Sequence, residues 1–106
     1  MKTYVGKIIF LDDSPKGEIK GANGNSIPWE RIDIYIVVPD DRNTIMKSRL
    51  VKIGVPGGKS TWNRITNNKP FNDYMSGEHE FFVTQEYNQT PNGPKAKAYE
   101  TLTYVR

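Results

Sequence analysis

The sequence predicts an all-β fold in which five strands close into a Greek-key barrel. Segments rich in β-branched and aromatic residues recur along the chain, with apolar residues at every second position. Turns rich in Gly, Pro and Asn separate these segments. A long connector, residues 56–77, follows the third segment. The two or three clean helices that would indicate an α/β sandwich are absent from the pattern.

The first strand is predicted at residues 3–11, where Gly6 interrupts the apolar run as it does at a bulge or a sharp coil. Residues 14–26 form a loop that can hold a short ribbon turning at Asn23-Gly24.

The second strand, residues 27–38, has the clearest period of two. Its even positions, Ile32 to Val38, are aliphatic and are expected in the core. Its odd positions are aromatic or charged and are expected outside. They include Trp29, Arg31, Asp33 and Tyr35.

The third strand is predicted at residues 44–55, after a turn at 39–43. Lys47 and Arg49 share the parity of its apolar residues. Either this strand therefore begins beyond the core, or it carries a bulge. The connector that follows has room for a helical turn near residues 62–66.

The fourth and fifth strands are predicted at residues 78–87 and 95–106, on either side of a turn-rich loop at 88–94. Phe81, Val83 and Tyr99 are expected in the core. The order of elements is that of the OB-fold: a coiled first strand, long second and third strands, and a connector before the fourth. The chain is predicted to form a single OB-fold domain of 106 residues. An SH3-like barrel is the main alternative, but its strands are usually shorter and its third strand is not followed by such an insertion.

Composition excludes several classes of protein. The chain has no cysteine, so it has no disulfide, thiolate metal site or cysteine nucleophile. No apolar run approaches the length of a membrane span, and the first apolar run is followed by acids, unlike a signal peptide. These features are typical of a cytoplasmic protein.

Enzymatic chemistry is not predicted, and no catalytic residue, metal ligand or cofactor is assigned. GVPGGKST, residues 54–61, ends like a phosphate-binding P-loop, but its first glycine is one residue too close to Gly58. The single histidine, His79, points away from its two glutamate neighbours on a strand. Asp12-Asp13 and Asp40-Asp41 could serve a metal nuclease, but both pairs flank turns, where aspartate is common.

Charge is distributed unevenly along the chain. Residues 42–72 contain seven Lys or Arg residues and no Asp or Glu, although the whole chain carries 15 basic and 12 acidic residues. A solvated surface usually mixes both signs, so this block predicts an anionic partner. Aromatic residues lie within and beside it, and single-stranded nucleic acid is bound by cations together with flat rings.

The predicted nucleic-acid-binding residues come from the second strand, the third strand and the connector. They are Trp29, Arg31, Tyr35, Lys47, Arg49, Lys52, Lys59, Trp62, Arg64, Lys69, Phe71 and Tyr74. Lys16, Lys20, Lys95 and Lys97 lie in or beside the flanking loops. Two aromatic residues have a structural alternative, since Trp29 could close the barrel end and Trp62 could pack the connector beneath it. Neither stacking nor phosphate contact reads sequence, so low sequence preference is expected.

The chain contains the long strand NSIPWERIDIYIVV, and its third strand and connector are basic. In these features, in its length and in its strand pattern, it resembles the OB-fold single-stranded DNA-binding proteins of bacteriophages. The resemblance implies a replication or recombination protein that coats single strands, needs no cofactor or small-molecule substrate, and works as a homodimer or higher oligomer. The chain ends TLTYVR within a strand, without the acidic tail of cellular relatives, which puts tail-mediated recruitment in doubt.

Three other functions stay open. A β-barrel module for protein–protein contact, such as a phage inhibitor or a structural subunit, would direct the basic block at an acidic protein. An RNA-binding barrel would use the same surface, and a small nuclease would need the aspartate pairs.

Overall fold

Strands form in the predicted segments, and one more is added. The computed structural model describes residues 1–39, 47–87 and 98–106. In these ranges the elements are β1 (Lys2–Asp12), β2 (Lys16–Lys20), β3 (Ser26–Pro39), β4 (Ser48–Pro56), α1 (Lys59–Thr66), a 3₁₀ helix (Phe71–Tyr74), β5 (His79–Tyr87) and β6 (Ala98–Val105). Most of the turn predicted at 39–43, the loop predicted at 88–94 and the first residues of the predicted third and fifth strands lie outside the described residues.

The sheet closes in a ring because β1 pairs with two strands. Its order is β1-β5-β6-β4-β3-β2, and β1 also pairs with β3. The pairing of β4 with β6 is parallel, whereas the others are antiparallel. The all-β prediction is therefore confirmed. The described part of the chain has one strand more than the five predicted. The additional strand is β2, which pairs with β3 outside the ring.

β1 changes partners at Gly6. Residues up to Gly6 pair with β5, and those from Lys7 onward pair with β3. A side chain at Gly6 would collide with the carbonyl oxygen of Val37, so glycine permits the close approach of these two backbones. The bulge in β1 lies farther along, at Ile9, where the register with β3 shifts.

The core fills the ring with the inward side chains of every ring strand. The inward face of β3 is confirmed, since Ile34 and Ile36 are fully buried and Ile32 and Val38 nearly so. Burial of each large apolar side chain contributes about 1.5–3 kcal/mol to folding. Other core residues come from β1, β4, β5 and β6: Ile8, Val51, Ile53, Val55, Phe81, Val83, Leu102 and Val105.

The loop after β1 is a two-stranded ribbon. β2 pairs with the first part of β3, from Lys16 opposite Glu30 to Lys20 opposite Ser26. The turn is closed by the Gly21 N–H donating to the Asn25 carbonyl over 2.7 Å. Gly24 adopts a φ of 77°, which favours glycine. The ribbon anticipated at Asn23-Gly24 is thus present.

The connector after β4 begins with α1, which is longer than the single turn anticipated from the sequence. Gly57 and Gly58, with φ values of 87° and 69°, turn the chain into the helix. Asn67, in the left-handed region at φ 57°, ends it. Neither helix among the described residues has the length and apolar character needed to span a membrane.

Candidate functional site

The outward side of β1, β3 and β4 carries two rows of side chains that run across the three strands. One row joins Phe10, Tyr35 and Lys52, and the other joins Lys7, Val37 and Leu50. We call these six residues the outer face. Tyr35 and Val37 are half-buried, and the others are exposed.

The Phe10–Tyr35–Lys52 row combines two flat rings with a cation. The ring centroids of Phe10 and Tyr35 lie 5.5 Å apart, and the rings are inclined at 51°. Phe10 is 57% exposed, and Lys52 lies opposite Tyr35 on β4. An exposed ring offers a stacking surface of roughly 1–3 kcal/mol per nucleotide base, and the neighbouring ammonium group suits a phosphate.

Arg31 lies at one end of the outer face, where a neighbouring carboxylate holds it. Its Nε donates to Asp33 Oδ1 over 2.8 Å, and its Nη2 donates to Oδ2 over 3.3 Å. Asp33 is only 5% exposed, and the Arg31 stem passes over Gly54 of β4. Because the buried carboxylate of Asp33 needs this partner, Arg31 mainly stabilises the fold. Only part of its charge is available to a ligand.

Trp29 stands on the ribbon, beyond Arg31 on the same strand. Its indole lies over Gly17 of β2, where a side chain would come within 2.9 Å of the Trp29 Nε1. It is 39% exposed, so it does not close the end of the ring. Trp29 and Tyr35 therefore both offer accessible ring surface.

The predicted basic residues do not form one continuous surface. Lys52 belongs to the outer face, whereas Arg49 shares the inward parity of β4 and lies over the Tyr4 ring, 5.6 Å from its centroid. Lys47 precedes β4, which begins at Ser48. Lys47 therefore shares the parity of the apolar residues without being part of the strand.

The basic residues of the connector lie around α1. Lys59, Arg64 and Lys69 are all exposed. Lys59 shares a shallow groove with Asp13, Glu30 and Arg31, where acids offset its charge. The described residues of this basic block are therefore spread over separate surfaces of the protein. Arg42, Lys95 and Lys97 lie outside them.

The aromatic residues of the connector form a second group, which we call the helix-side cluster: Trp62, Phe71 and Tyr74. Trp62 and Tyr74 are 1% and 4% exposed. Phe71 stacks on Trp62 with centroids 4.1 Å apart, and the Trp62 Nε1 donates to the Lys69 carbonyl over 2.8 Å. The assignment of these three rings to a binding surface is corrected, because they pack the connector against the core.

Burial also affects the chemistry of the helix-side cluster. Desolvation, reinforced by the charge of Asp73, raises the pKa of the Tyr74 phenol above its usual 10.0. Tyr74 also contacts His79 edge-on at 4.8 Å, and a ring nitrogen of His79 lies 3.0 Å from the Ser76 carbonyl oxygen. His79 is thus engaged in local packing.

The acidic residue Asp12 is engaged in a local contact. The Asp12 carboxylate accepts hydrogen bonds from the hydroxyl and the backbone N–H of Ser14, and these bonds lower its pKa. Among the described residues no group of three or more His, Cys, Asp or Glu side chains is arranged to hold a metal ion. Asp40 and Asp41 lie outside the described residues.

Sequence reasoning missed Phe10, Lys7 and Leu50. Strict alternation from Tyr4 through Ile8 would place Phe10 in the core, but the bulge at Ile9 reverses the parity and turns Phe10 outward. Leu50 shares the outward parity of Lys52 on β4. Its exposed fraction of 56% makes it part of the outer face.

Comparison with protein-family models finds no match, and comparisons with curated proteins and with solved structures find none either. The function of this chain is therefore inferred from the geometry of the outer face and from its position in the ring.

Proposed function

We propose that the ring is an OB-fold. Its order, β1-β3-β4-β6-β5 and back to β1, has one parallel pair, β4 with β6, and a helix before β5. These are features of a five-stranded Greek-key barrel with a connecting helix, and the β2–β3 ribbon then corresponds to an elongated first loop. In such barrels, the face formed by the second and third ring strands binds oligonucleotides. Here those strands are β3 and β4.

We infer that the protein binds single-stranded DNA with little sequence preference. The observation that carries this inference is the row in which Phe10 and Tyr35 present adjacent rings beside Lys52. Trp29 extends the aromatic surface along β3 towards the ribbon. Bases would stack on the rings while Lys52 and Lys7 contact phosphates, and none of these contacts distinguishes one base from another.

The corresponding biological role is to coat and protect single strands during replication or recombination, in the cytoplasm of a host cell. This role follows from the resemblance to the bacteriophage proteins and requires no cofactor or catalytic residue.

The direct test is a titration of labelled oligo-dT at increasing salt. We expect binding at low salt, with a log affinity that falls by about 0.7 for each contacted phosphate per tenfold rise in salt. Emission of Trp29, measured alone in a Trp62→Phe variant, should be quenched when the DNA binds. Absence of binding even at low salt would exclude the proposal, and preference for poly-U over oligo-dT would indicate RNA instead.

A matched pair of variants tests the position of the site. Tyr35→Ala should weaken binding of oligo-dT by roughly 5- to 150-fold, the equivalent of 1–3 kcal/mol. Tyr104→Ala is the control, because Tyr104 is 49% exposed and its ring centroid lies 5.8 Å from that of Phe82 in a comparable pair on β5 and β6. Equal losses in both variants would contradict a site on the outer face.

A protein–protein module is the second candidate. Leu50 and Phe10 leave large apolar surfaces in water, at 56% and 57% exposure, and interface centres are enriched in such residues. Affinity capture of a partner protein by the wild type and not by Leu50→Asp, with no DNA binding, would favour this function.

A further inference from the structure

β2 is a strand with a free edge. It pairs with β3 on one side, and no other strand of the described sheet lies beside it. In the described part of the chain, the backbone N–H and C=O groups along its other side are therefore available to a further strand. Natural proteins either protect such an edge or use it to add a strand from a partner.

The register of the ribbon determines which backbone groups face the free edge. The Gly21 N–H donates to the Asn25 carbonyl over 2.7 Å, and the Arg31 N–H donates to the Pro15 carbonyl over 3.0 Å. Since hydrogen-bonded pairs alternate along an antiparallel ladder, the odd residues of β2 bond to β3. The backbone groups of the even residues consequently point to the free edge. These residues are Lys16, Glu18 and Lys20.

The two faces of β2 differ in character. On one face Ile19 lies beside Ile27 of β3, and the two side chains are 59% and 55% exposed. On the other face the side chains of Lys16, Glu18 and Lys20 alternate in charge. Lysines on an edge discourage indiscriminate pairing, but the glutamate between them permits pairing in a register that opposes unlike charges.

Antiparallel pairing of two copies of β2 can be compared register by register. A two-fold axis at Glu18 places Glu18 opposite Glu18 of the second copy and Lys16 opposite Lys20 of the second copy. Like charges then face each other and repel. An axis at Gly17 opposes Lys16 to Glu18 but leaves glycine at the centre. An axis at Ile19 opposes Glu18 to Lys20 twice and places the two Ile19 side chains against each other.

We propose that a second copy of this chain pairs with the free edge of β2, antiparallel and centred on Ile19. In this register Glu18 and Lys20 supply both the outward backbone groups and the complementary charges. The isoleucines of β2 and β3 in the two copies form one apolar row across four strands, which covers side chains that are exposed in the single chain.

The pairing also sets the relation between the two Trp29 side chains. A two-fold axis perpendicular to the sheet keeps corresponding faces of the two ribbons on the same side. The two Trp29 side chains, which share a face with Ile27 on β3, therefore stand on one side of a continuous four-stranded sheet. This pairing does not rest on the proposed function, because none of its contacts involves a nucleic acid.

Sedimentation velocity on the full chain, without nucleic acid and over a range of concentrations, tests the pairing. We expect the wild type to be a dimer in reversible equilibrium with the monomer. Glu18→Lys and Lys20→Glu should each weaken dimerisation by roughly tenfold, because each turns two attractive cross-strand pairs into repulsive ones. A wild type that stays monomeric, or single variants that dimerise as well as the wild type, would overturn the proposal.

The double variant Glu18→Lys/Lys20→Glu gives the sharper test, since it restores unlike pairs only if position 18 faces position 20 of the second copy. We expect dimerisation to return to the wild-type level, and a double variant as weak as the singles would exclude the Ile19-centred register. Glu86→Lys, an exposed charge reversal on β5, is the control and should leave the dimer intact. Thermal unfolding of each variant verifies that the fold is retained.

Discussion

The outer face and the helix-side cluster are built from similar residues and lie in different surroundings. Each contains aromatic rings in close pairs, with centroids 5.5 Å apart for Phe10–Tyr35 and 4.1 Å apart for Trp62–Phe71. Phe10 is 57% exposed, whereas Trp62 is 1% exposed and its indole N–H is hydrogen-bonded. The same residue types thus stabilise the fold in one region and remain accessible to a partner in the other.

The difference follows from what each region is packed against. α1 and the 3₁₀ helix carry their rings onto the core, so water is excluded from Trp62 and Tyr74. No described segment covers Phe10, whose ring has only Tyr35 as an aromatic neighbour in that part of the chain. Substitutions should therefore affect stability in the helix-side cluster and binding on the outer face.

The largest expected effect is that of Trp62→Ala. It should lower the free energy of unfolding by about 3–5 kcal/mol, because it leaves a cavity under α1 and removes the hydrogen bond to the Lys69 carbonyl. Urea denaturation followed by circular dichroism measures this change. Phe10→Ala is the comparison and should cost far less, since more than half of that side chain is already in water. Similar losses in the two variants would remove the distinction between the regions.

The strand pattern of the sequence is sufficient to predict the inward face of β3, because each of its even residues from Ile32 to Val38 is aliphatic. It cannot reveal bulges, which depend on pairing between distant strands. The bulge at Ile9 turns Phe10 outward, and a register shift between β5 and β6 lets both Leu102 and Val105 face the core, although strict alternation assigns them to opposite faces.

The basic block illustrates a second limit. Clustering in sequence predicts clustering in space only where the chain stays on one face, and this segment crosses from the end of the ring at Arg49 to the outer face at Lys52 and then to α1. The outward orientation of Trp29 and Tyr35 was predictable from the period of two in their strand, whereas the burial of Trp62 depends on how the connector folds back.

Arg31→Met should have the next largest effect. It leaves the carboxylate of Asp33, a residue that is 5% exposed, without its guanidinium partner, and we expect a loss of about 1–3 kcal/mol in the free energy of unfolding. Denaturant unfolding of Arg31→Met and of Arg31→Met/Asp33→Asn provides the measurement, and the double variant should recover part of the loss. Weakened DNA binding with unchanged stability would instead assign Arg31 to the outer face.

A smaller effect is expected from Lys52→Gln, compared with Arg49→Gln on the same strand. If Lys52 contacts one phosphate as proposed, Lys52→Gln should reduce the slope of log affinity against log salt by about 0.7. Arg49 points to the end of the ring over Tyr4, so Arg49→Gln should leave the slope unchanged. Fluorescence anisotropy with oligo-dT at several salt concentrations measures both slopes. A reduced slope for Arg49→Gln alone would move the binding site from the outer face to the end of the ring.

The smallest expected effect is a loss of stability that arises from Tyr74 in the helix-side cluster and appears only at high pH. Burial raises the pKa of Tyr74 in the folded chain above 10.0, so at a pH above 10 the unfolded chain loses this proton while the folded chain retains it. Stability should therefore be undisturbed below pH 10 and should fall as the pH rises further. In Tyr74→Phe this contribution is missing, and the free energy of unfolding should decline less steeply between pH 9 and pH 11 than in the wild type. Identical pH profiles in urea denaturation would show that Tyr74 is as open to water as the rings of the outer face.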